Sequence, residues 1–458
     1  MDAIELKQAL IELIGDEAVS TEAEVLQEHS IDRWYASNQP DVVVFARSTE
    51  DVSQVLAFAH EHEVPVTTRG AGIGYVGGAV PVQAGIVLSV ARMNQILEVN
   101  PADGVAVVEP GVITGDLQDA VESIGWYYPP DPASLRECSI GGNIATNAGG
   151  PRCVKYGVTK QYVLGLTVVL ADGTVVETGG RCHKNKQGFD LTTAFVGSEG
   201  LLGVVTQATL RLIPKPQWRS MLTATFPQFA DAAAAVQAIF NAGHLPSGLE
   251  ITDSFTLSAA RAYLGENALP EGNAHLIVEI DGRKTAVASE LEELETLLQG
   301  LKAIQIDRAE DAEACEAIWK LRRDFSYSLR ATGLTKLNED IVVPRSKLVE
   351  LVEFAEKLQE KAGIDIACFG HAGDGNIHTN LMVDDYTNPE VREKADAALD
   401  ELFTWIIANR GAITGEHGVG LAKKRWLPQA LGEANIALHR QVKAALDSKD
   451  ILNPGKFL

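Results

Sequence analysis

Two histidines, a carboxylate and a third histidine in the last hundred residues are the groups best suited to chemistry. The segment Cys368-Phe-Gly-His371-Ala-Gly-Asp374-Gly375-Asn-Ile-His378-Thr-Asn380 sets two imidazoles around an Asp-Gly turn. Asp-Gly suits a two-residue β-hairpin loop, and strand-like residues flank it. With Asp374-Gly375 as the loop, His371 falls directly opposite His378, their Cβ atoms roughly 5 Å apart on one face. Two imidazoles at that separation can share a divalent ion. Asn380 points to the same side. A turn with two solvated histidines explains the pair alone, but the small residues at the tip and the third polar group favour a metal.

The segment Gly415-Glu416-His417-Gly418-Val-Gly420 supplies the anionic ligand. It follows a helical pattern that starts near Pro389 and ends at Arg410-Gly411. Gly411 is expected in the left-handed conformation past the helix end, and Ala412-Ile413-Thr414 reads as a short strand. Neighbours in an extended segment point opposite ways, so Glu416 and His417 take different roles. Glu416 with His371 and His378 makes a three-ligand site with a position open for substrate. His417 remains as the general base. Zinc is the first choice for two imidazoles and a carboxylate; manganese or iron also fits.

Glycine clusters dominate the N-terminal half. Gly72, Gly74 and Gly77 satisfy the G-x-G-x-x-G spacing of a dinucleotide fingerprint, which requires a helix directly after the turn. Here Gly78-Ala-Val-Pro81 and a strand-like Ile86-Val-Leu-Ser-Val90 follow, so that reading fails. A glycine loop between strands still offers backbone N–H groups to a phosphate. Further clusters lie at 139–150 and 196–205, joined by strands such as 163–170. Three of them imply a large planar or phosphorylated cofactor.

The chain resembles the FAD-dependent D-2-hydroxyacid dehydrogenases of the vanillyl-alcohol-oxidase flavoprotein group, a set that includes the glycolate oxidase flavin subunit, cytochrome-type D-lactate dehydrogenase and D-2-hydroxyglutarate dehydrogenase. The matching segments run in family order: Arg69-Gly-Ala-Gly, Pro129-Pro-Asp-Pro-Ala-Ser134, Ser139-Ile-Gly-Gly-Asn, Asn147-Ala-Gly-Gly150, Lys155-Tyr-Gly157, Gly197-Ser-Glu-Gly-Leu-Leu-Gly203, Gly370 to His378, Gly415-Glu-His-Gly and Asn453-Pro-Gly-Lys456. The resemblance implies an α+β fold, with a two-subdomain FAD-binding domain of the vanillyl-alcohol-oxidase type, an α+β cap domain and a C-terminal helical segment. It implies FAD contacts from Arg69, Gly70, Ala71, Gly72, Gly74, Gly77 and Gly78; from Pro130, Asp131 and Ser134; and from Ser139, Gly141, Gly142, Asn143, Asn147, Gly149 and Gly150. Tyr156, Gly157, Glu199, Gly200, Gly203, Val204, Val205 and Asn453 complete that set. Some members tether the flavin through a histidine; Ile73 stands there in this chain, so FAD is expected without a covalent bond.

The implied reaction is oxidation of a small D-2-hydroxy acid (glycolate, D-lactate or D-2-hydroxyglutarate) to the 2-oxo acid. Electrons pass to a quinone, a cytochrome or a partner subunit, and the chain is expected as a homodimer or as part of a flavoprotein complex. A flavin-carrying subunit without its own active site, or a dioxygen-using oxidase of the same fold, are the alternatives. Over 311–330, Ala314, Ile318, Leu321, Phe325 and Leu329 form an apolar stripe at helical spacing, with Arg322 and Ser326 on its flank. Arg322 suits a bidentate grip on a substrate carboxylate, and the family places an arginine and a hydroxyl partner at this spacing. Asn380 adds a hydrogen bond to the substrate. A family lysine is expected before Pro344; Asn338 stands at the usual position and Lys336 two residues earlier on the same strand face, leaving both open.

Composition bounds the rest. The 458 residues, 46% of them apolar, suffice for two or three domains. A net charge of −23 argues against nucleic acid or an anionic membrane surface as partner. Five cysteines without a Cys-x-x-Cys fit a reducing compartment. No apolar run approaches the roughly 20 residues that span a bilayer. A cytoplasmic protein is expected, with docking at the inner face of the membrane left open. The expected organisation is a helical preface over 1–40, an FAD-binding domain over 41–216, a cap over 217–410, and a segment over 411–458 that returns to the flavin.

Overall fold

The computed structural model describes residues 2–458 and divides into two compact units. The chain builds the first from residues up to Gly149, Val158–Lys215 and Glu416–Leu458, and the second from Gly150–Gly157 and Pro216–Gly415. The short excursion over 150–157 and the return at Glu416 have no mark in the composition of the sequence.

The first unit holds two sheets. Val42–Phe45 and Val66–Arg69 flank Ile86–Ser89 in parallel, and Val19–Ser20 adds an antiparallel edge. The second sheet is antiparallel, in the order Ile96–Asn100, Val105–Val108, Val204–Arg211, Val163–Val169, Val175–Gly179. Helices Ala3–Ile14 and Thr49–His62 bury Leu6, Leu10, Val52, Val55 and Leu56 in a core that also takes Val169, Val204, Ile451 and Leu452. The preface is thus less helical than expected, since Val19–Ser20 is a strand. No helix follows Gly72, Gly74 and Gly77: the chain stays irregular until the strand at Ile86.

The second unit is one seven-stranded sheet with helices on both faces. Its strands are β1 (Trp218–Phe226), β2 (Gly248–Thr252), β3 (Ala274–Gly282), β4 (Gln305–Ala309), β5 (Thr335–Val342), β6 (Asp365–His371) and β7 (Asn376–Val383). Their spatial order is β4-β1-β3-β2-β6-β7-β5, every pairing antiparallel. Alternation gives the sheet two unlike faces. One shows Leu222, Leu249, Ile251, Val278, Ile366, Ile377 and Leu381, and among its helices are α1 (Phe229–Asn241), α3 (Lys284–Gln299), α5 (Leu348–Ala362) and α6 (Pro389–Ala408). The other carries Glu250, Glu279, His371, His378, Asn380, Asp340 and Lys336, with α2 (Ser254–Leu264) and α4 (Ala312–Ala331) packed on its apolar patches. Among the described residues no helix is long and apolar enough to cross a membrane.

Two local expectations change. Arg410, at φ +60°, takes the left-handed position after α6. Gly411 is small for another reason: a Cβ there would lie 2.4 Å from the Val342 carbonyl. Ala412 makes only an isolated bridge to Val342, not a strand.

Candidate active site

The hairpin register differs from the one the Asp-Gly dipeptide suggests. His371 pairs with Asn376, and His378 pairs with Phe369, so the loop is Ala372–Gly375 rather than Asp374-Gly375 alone. The tip is tied on both sides: Gly373 N donates to Leu249 O at 3.1 Å, and Val343 N to Gly375 O at 3.0 Å. Gly375 is left-handed at φ +75° and closes the longer loop. The shift between the two registers is two residues, so both imidazoles keep their face. They become diagonal neighbours with ring centroids 5.7 Å apart.

Carboxylates on the flanking strands back the two imidazoles. Glu250 on β2 is directly opposite His371, and Asp340 on β5 directly opposite His378. Glu250 is wholly buried and its Oε1 lies 2.5 Å from His371 Nδ1. Burial alone would raise the Glu250 carboxyl, but His371 and Arg322 beside it outweigh that and hold it at about 2. Asp340, also wholly buried, accepts from Asn376 Nδ2 at 2.7 Å, Thr414 Oγ1 at 2.9 Å and Gly415 N at 2.8 Å. Residues 414 and 415 are thereby fastened to the sheet, and Glu416 follows directly. His371 and His378 stand in the second unit, and Glu416 opens the segment that returns to the first. The donor set, two imidazole nitrogens and one carboxylate oxygen, fits a first-row divalent ion. A carboxylate behind a ligating imidazole is the usual support of such a site.

Phe369 organises the cations of the same face. The Arg322 guanidinium stacks 4.7 Å from its ring centre, Lys336 Nζ lies 5.9 Å away, and His378 packs against it at 5.4 Å. Arg322 is itself in the buried stripe of α4, with Cys315, Trp319, Phe325 and Leu329. Ala314, Ile318 and Leu321 are only partly buried, so the helix is rotated from the purely apolar pattern. The cause is polar: Arg322 Nε donates to Glu250 Oε2 at 2.6 Å, and Trp319 Nε1 to Glu279 at 2.6 Å. Lys336 Nζ bonds Ser326 Oγ at 2.8 Å. Burial lowers the Lys336 amine to about 7, and the charges of Arg330 and Arg322 add to this. Asn380 donates to the carbonyls of Ala367 and His378, leaving its buried Oδ1 as an acceptor without a partner. Asn338 sits opposite Asn380, also with an unmatched buried Oδ1.

In the first unit, His417 packs against Tyr75 of the glycine loop, ring centroids 5.2 Å apart. Glu199, left-handed at φ +50°, accepts Val419 N at 2.7 Å and Gly420 N at 2.8 Å on its two carboxylate oxygens. Asn453 Nδ2 donates to Glu199 O at 2.6 Å and Gly78 O at 3.4 Å. Arg69 turns its guanidinium to the carbonyls of Ile31 and Glu28, lying across Gly72. Asn143 bonds Thr114, and Gly203 lets its strand approach Val168. Those side chains hold the scaffold, and what remains open to a cofactor is largely backbone. A cavity of about 230 Å³ is lined by Gly70, Ala71, Gly111, Val112, Ile113 and Ser139 among others. A Cβ on Gly70 would stand 2.6 Å from Ser139 Oγ, and one on Gly111 2.6 Å from the carbonyls of Met93 and Val90. Such a wall of small residues suits a flat, phosphorylated cofactor, so the residues fit FAD. Gly150, Tyr156 and Gly157 cluster instead with the second unit, where Tyr156 bonds Asp281 at 2.7 Å.

Glu250, Asp340, Phe369, Tyr75 and the Gly111 turn escape a reading of the sequence. Only Glu250 leaves a signal, as the sole acid within the apolar run Gly248–Thr252.

Residues 40–179 match the family described as FAD binding domain, and residues 215–457 the one described as FAD linked oxidases, C-terminal domain. The chain therefore belongs to the FAD-linked oxidases and is a flavin-dependent oxidoreductase, as the resemblance implied. It is 39% identical to the glycolate oxidase subunit GlcD of Bacillus subtilis (strain 168), over 99% of this chain and 96% of that one. It is 33% identical to a D-lactate dehydrogenase of Anaerostipes hadrus, over 92% and 90%. p-Cresol methylhydroxylase with substrate bound matches with a TM-score of 0.82 at 22% identity, covering 99% of this chain and 96% of that one, a likeness of fold alone. That fold is of the vanillyl-alcohol-oxidase type.

Proposed function

We propose that the protein oxidises a small D-2-hydroxy acid to the 2-oxo acid and passes the electrons to a quinone, a cytochrome or a partner subunit. The observation that carries this reading is the polar sheet face, where carboxylate-backed imidazoles stand around Phe369 with Arg322 and Lys336. An α-hydroxy carboxylate needs both: cations for its carboxylate, and a site that acidifies its hydroxyl. The names of the full-length relatives, a glycolate oxidase subunit and a D-lactate dehydrogenase, support the substrate class.

His371, His378 and Glu416 would hold the divalent ion, zinc first and manganese or iron next, and such an ion would make the substrate hydroxyl more acidic. Bound FAD supplies the acceptor for the α-carbon hydride, at its N5. Arg322, Ser326 and Lys336 grip the carboxylate, and Asn380 adds a hydrogen bond to the substrate. His417 Nδ1 or Nε2 takes the hydroxyl proton, and Tyr75 fixes the plane of its ring. Glu199 sets the backbone just after that histidine.

A dye-reduction panel of both enantiomers of C2 to C5 2-hydroxy acids tests the reading. One D-acid, or achiral glycolate, should reduce the dye, and chelation should abolish this while FAD stays bound. His417→Ala should keep FAD and lose about two to four orders of magnitude in flavin reduction rate. Turnover by metal-free protein, or a panel with no active acid, refutes the proposal.

A further inference from the structure

Glu250 reaches two functional groups with separate oxygens. Its strand sets it opposite His371, Oε1 lies 2.5 Å from His371 Nδ1, and Oε2 lies 2.6 Å from Arg322 Nε. An ionised carboxylate only accepts, so His371 carries a proton on Nδ1, and Nε2 is the ring nitrogen through which it would ligate. The same carboxylate commits Arg322 Nε, which fixes the guanidinium plane over Phe369. A counter-ion that served only to neutralise a buried arginine would gain most from a two-pronged bond to that arginine. Glu250 instead divides its oxygens between the two groups, at no exposure to water.

We propose that Glu250 is a positioning residue that couples the tautomer of His371 to the orientation of Arg322, so that the divalent-metal and carboxylate affinities of this centre change together. The inference rests on the metal reading above.

Glu250→Gln keeps the size of the side chain but offers one acceptor and one amide donor. One of the two N–H groups then faces an N–H of the amide. Glu250→Asp is too short to span both partners. Each variant is prepared with FAD bound and stripped of metal, and its Zn²⁺ dissociation constant is read by competition with a chromophoric chelator. Loss of a supporting carboxylate should weaken Zn²⁺ binding about 10- to 100-fold. The KM for the best hydroxy acid should rise in the same variants. A role in folding alone would lower the melting midpoint and leave both constants unmoved. Zn²⁺ binding by both variants within twofold of wild type overturns the coupling. Wild-type protein that binds no Zn²⁺, Mn²⁺ or Fe²⁺ stoichiometrically removes the metal reading itself, and this inference with it. Should neither variant fold, Arg322→Lys, which keeps the charge but lacks Nε, decides: coupling weakens Zn²⁺ binding at least about twofold, and an unchanged affinity overturns the proposal.

Discussion

Glu199→Gln should change how the stability of the protein depends on pH, in a direction fixed by burial. Burial pushes the Glu199 carboxyl up to about 7, against the pull of the Val419 and Gly420 amides and the charges of Lys456 and Lys423. In the unfolded chain the group titrates near its ordinary 4.5. Between these values the folded protein retains a proton that the unfolded chain has released, so stability falls as pH rises through the window. From pH 5 to pH 8 the loss amounts to roughly 2–3 kcal/mol. Glutamine does not titrate, so the variant escapes that loss. At any one pH its net effect also includes the amide it fails to hold, but that contribution is constant. For a chain of 458 residues the difference in melting midpoint, variant minus wild type, should therefore grow by about 2–3 °C between pH 5 and pH 8. Thermal scans of both proteins across that range provide the measurement. A difference that stays flat within a degree would show that Glu199 titrates as it does in the unfolded chain, and the burial argument would fail.

Other outcomes follow from the same geometry. Gly415→Ala puts a Cβ within 2.6 to 2.8 Å of the three amide atoms of Asn376, which Asp340 and Ile341 hold in place. Overpacking of that kind costs about 1–3 kcal/mol, and an unchanged unfolding midpoint would contradict it. Lys336 loses its charge as pH rises through about 7, so the KM for an anionic substrate should climb above that pH. Lys336→Arg should flatten the climb, and a wild-type KM constant from pH 6 to 9 would argue against a role for this amine. Acid denaturation should release free FAD into a filtrate, whereas flavin fluorescence on a denaturing gel would reveal a covalent link.

What the sequence discloses about this site is mostly local. His371, His378 and Glu416 declare themselves by residue type and by the glycines around them. The hairpin is legible too, but its register is not, because Gly373 and Gly375 bond to Leu249 on β2 and to Val343 just past β5, both remote in sequence. Parity rescues the reading, since a slip of two residues changes neighbours without changing faces. Glu250 and Asp340 are hidden for a related reason. Glu250 meets a histidine 121 positions away, and no periodicity within β2 distinguishes an acid turned to a functional face from one turned to water. Arg322 shows the opposite effect. It looks like the flank of an apolar stripe because its buried partner lies on another element. The glycine segments point to a large cofactor, yet the side chains of Arg69, Asn143, Glu199 and Asn453 serve the scaffold, a division that backbone hydrogen bonding decides.

The return of the chain at Glu416 has a consequence for biosynthesis. Val66 N donates to Ile451 O at 2.8 Å, and Asn453 N donates back to Val66 O at 2.8 Å, while Ile451 and Leu452 fill the core around the first strands. Those contacts cannot form until residues 451–453 have left the ribosome, by which time the whole intervening unit has been synthesised. The N-terminal glycine loops therefore wait, made but unlatched, through most of translation. Completion of the cofactor-binding unit must follow synthesis of residues 451–453 in this architecture, and the half-built first unit is the stage at which a chaperone would find exposed apolar strands.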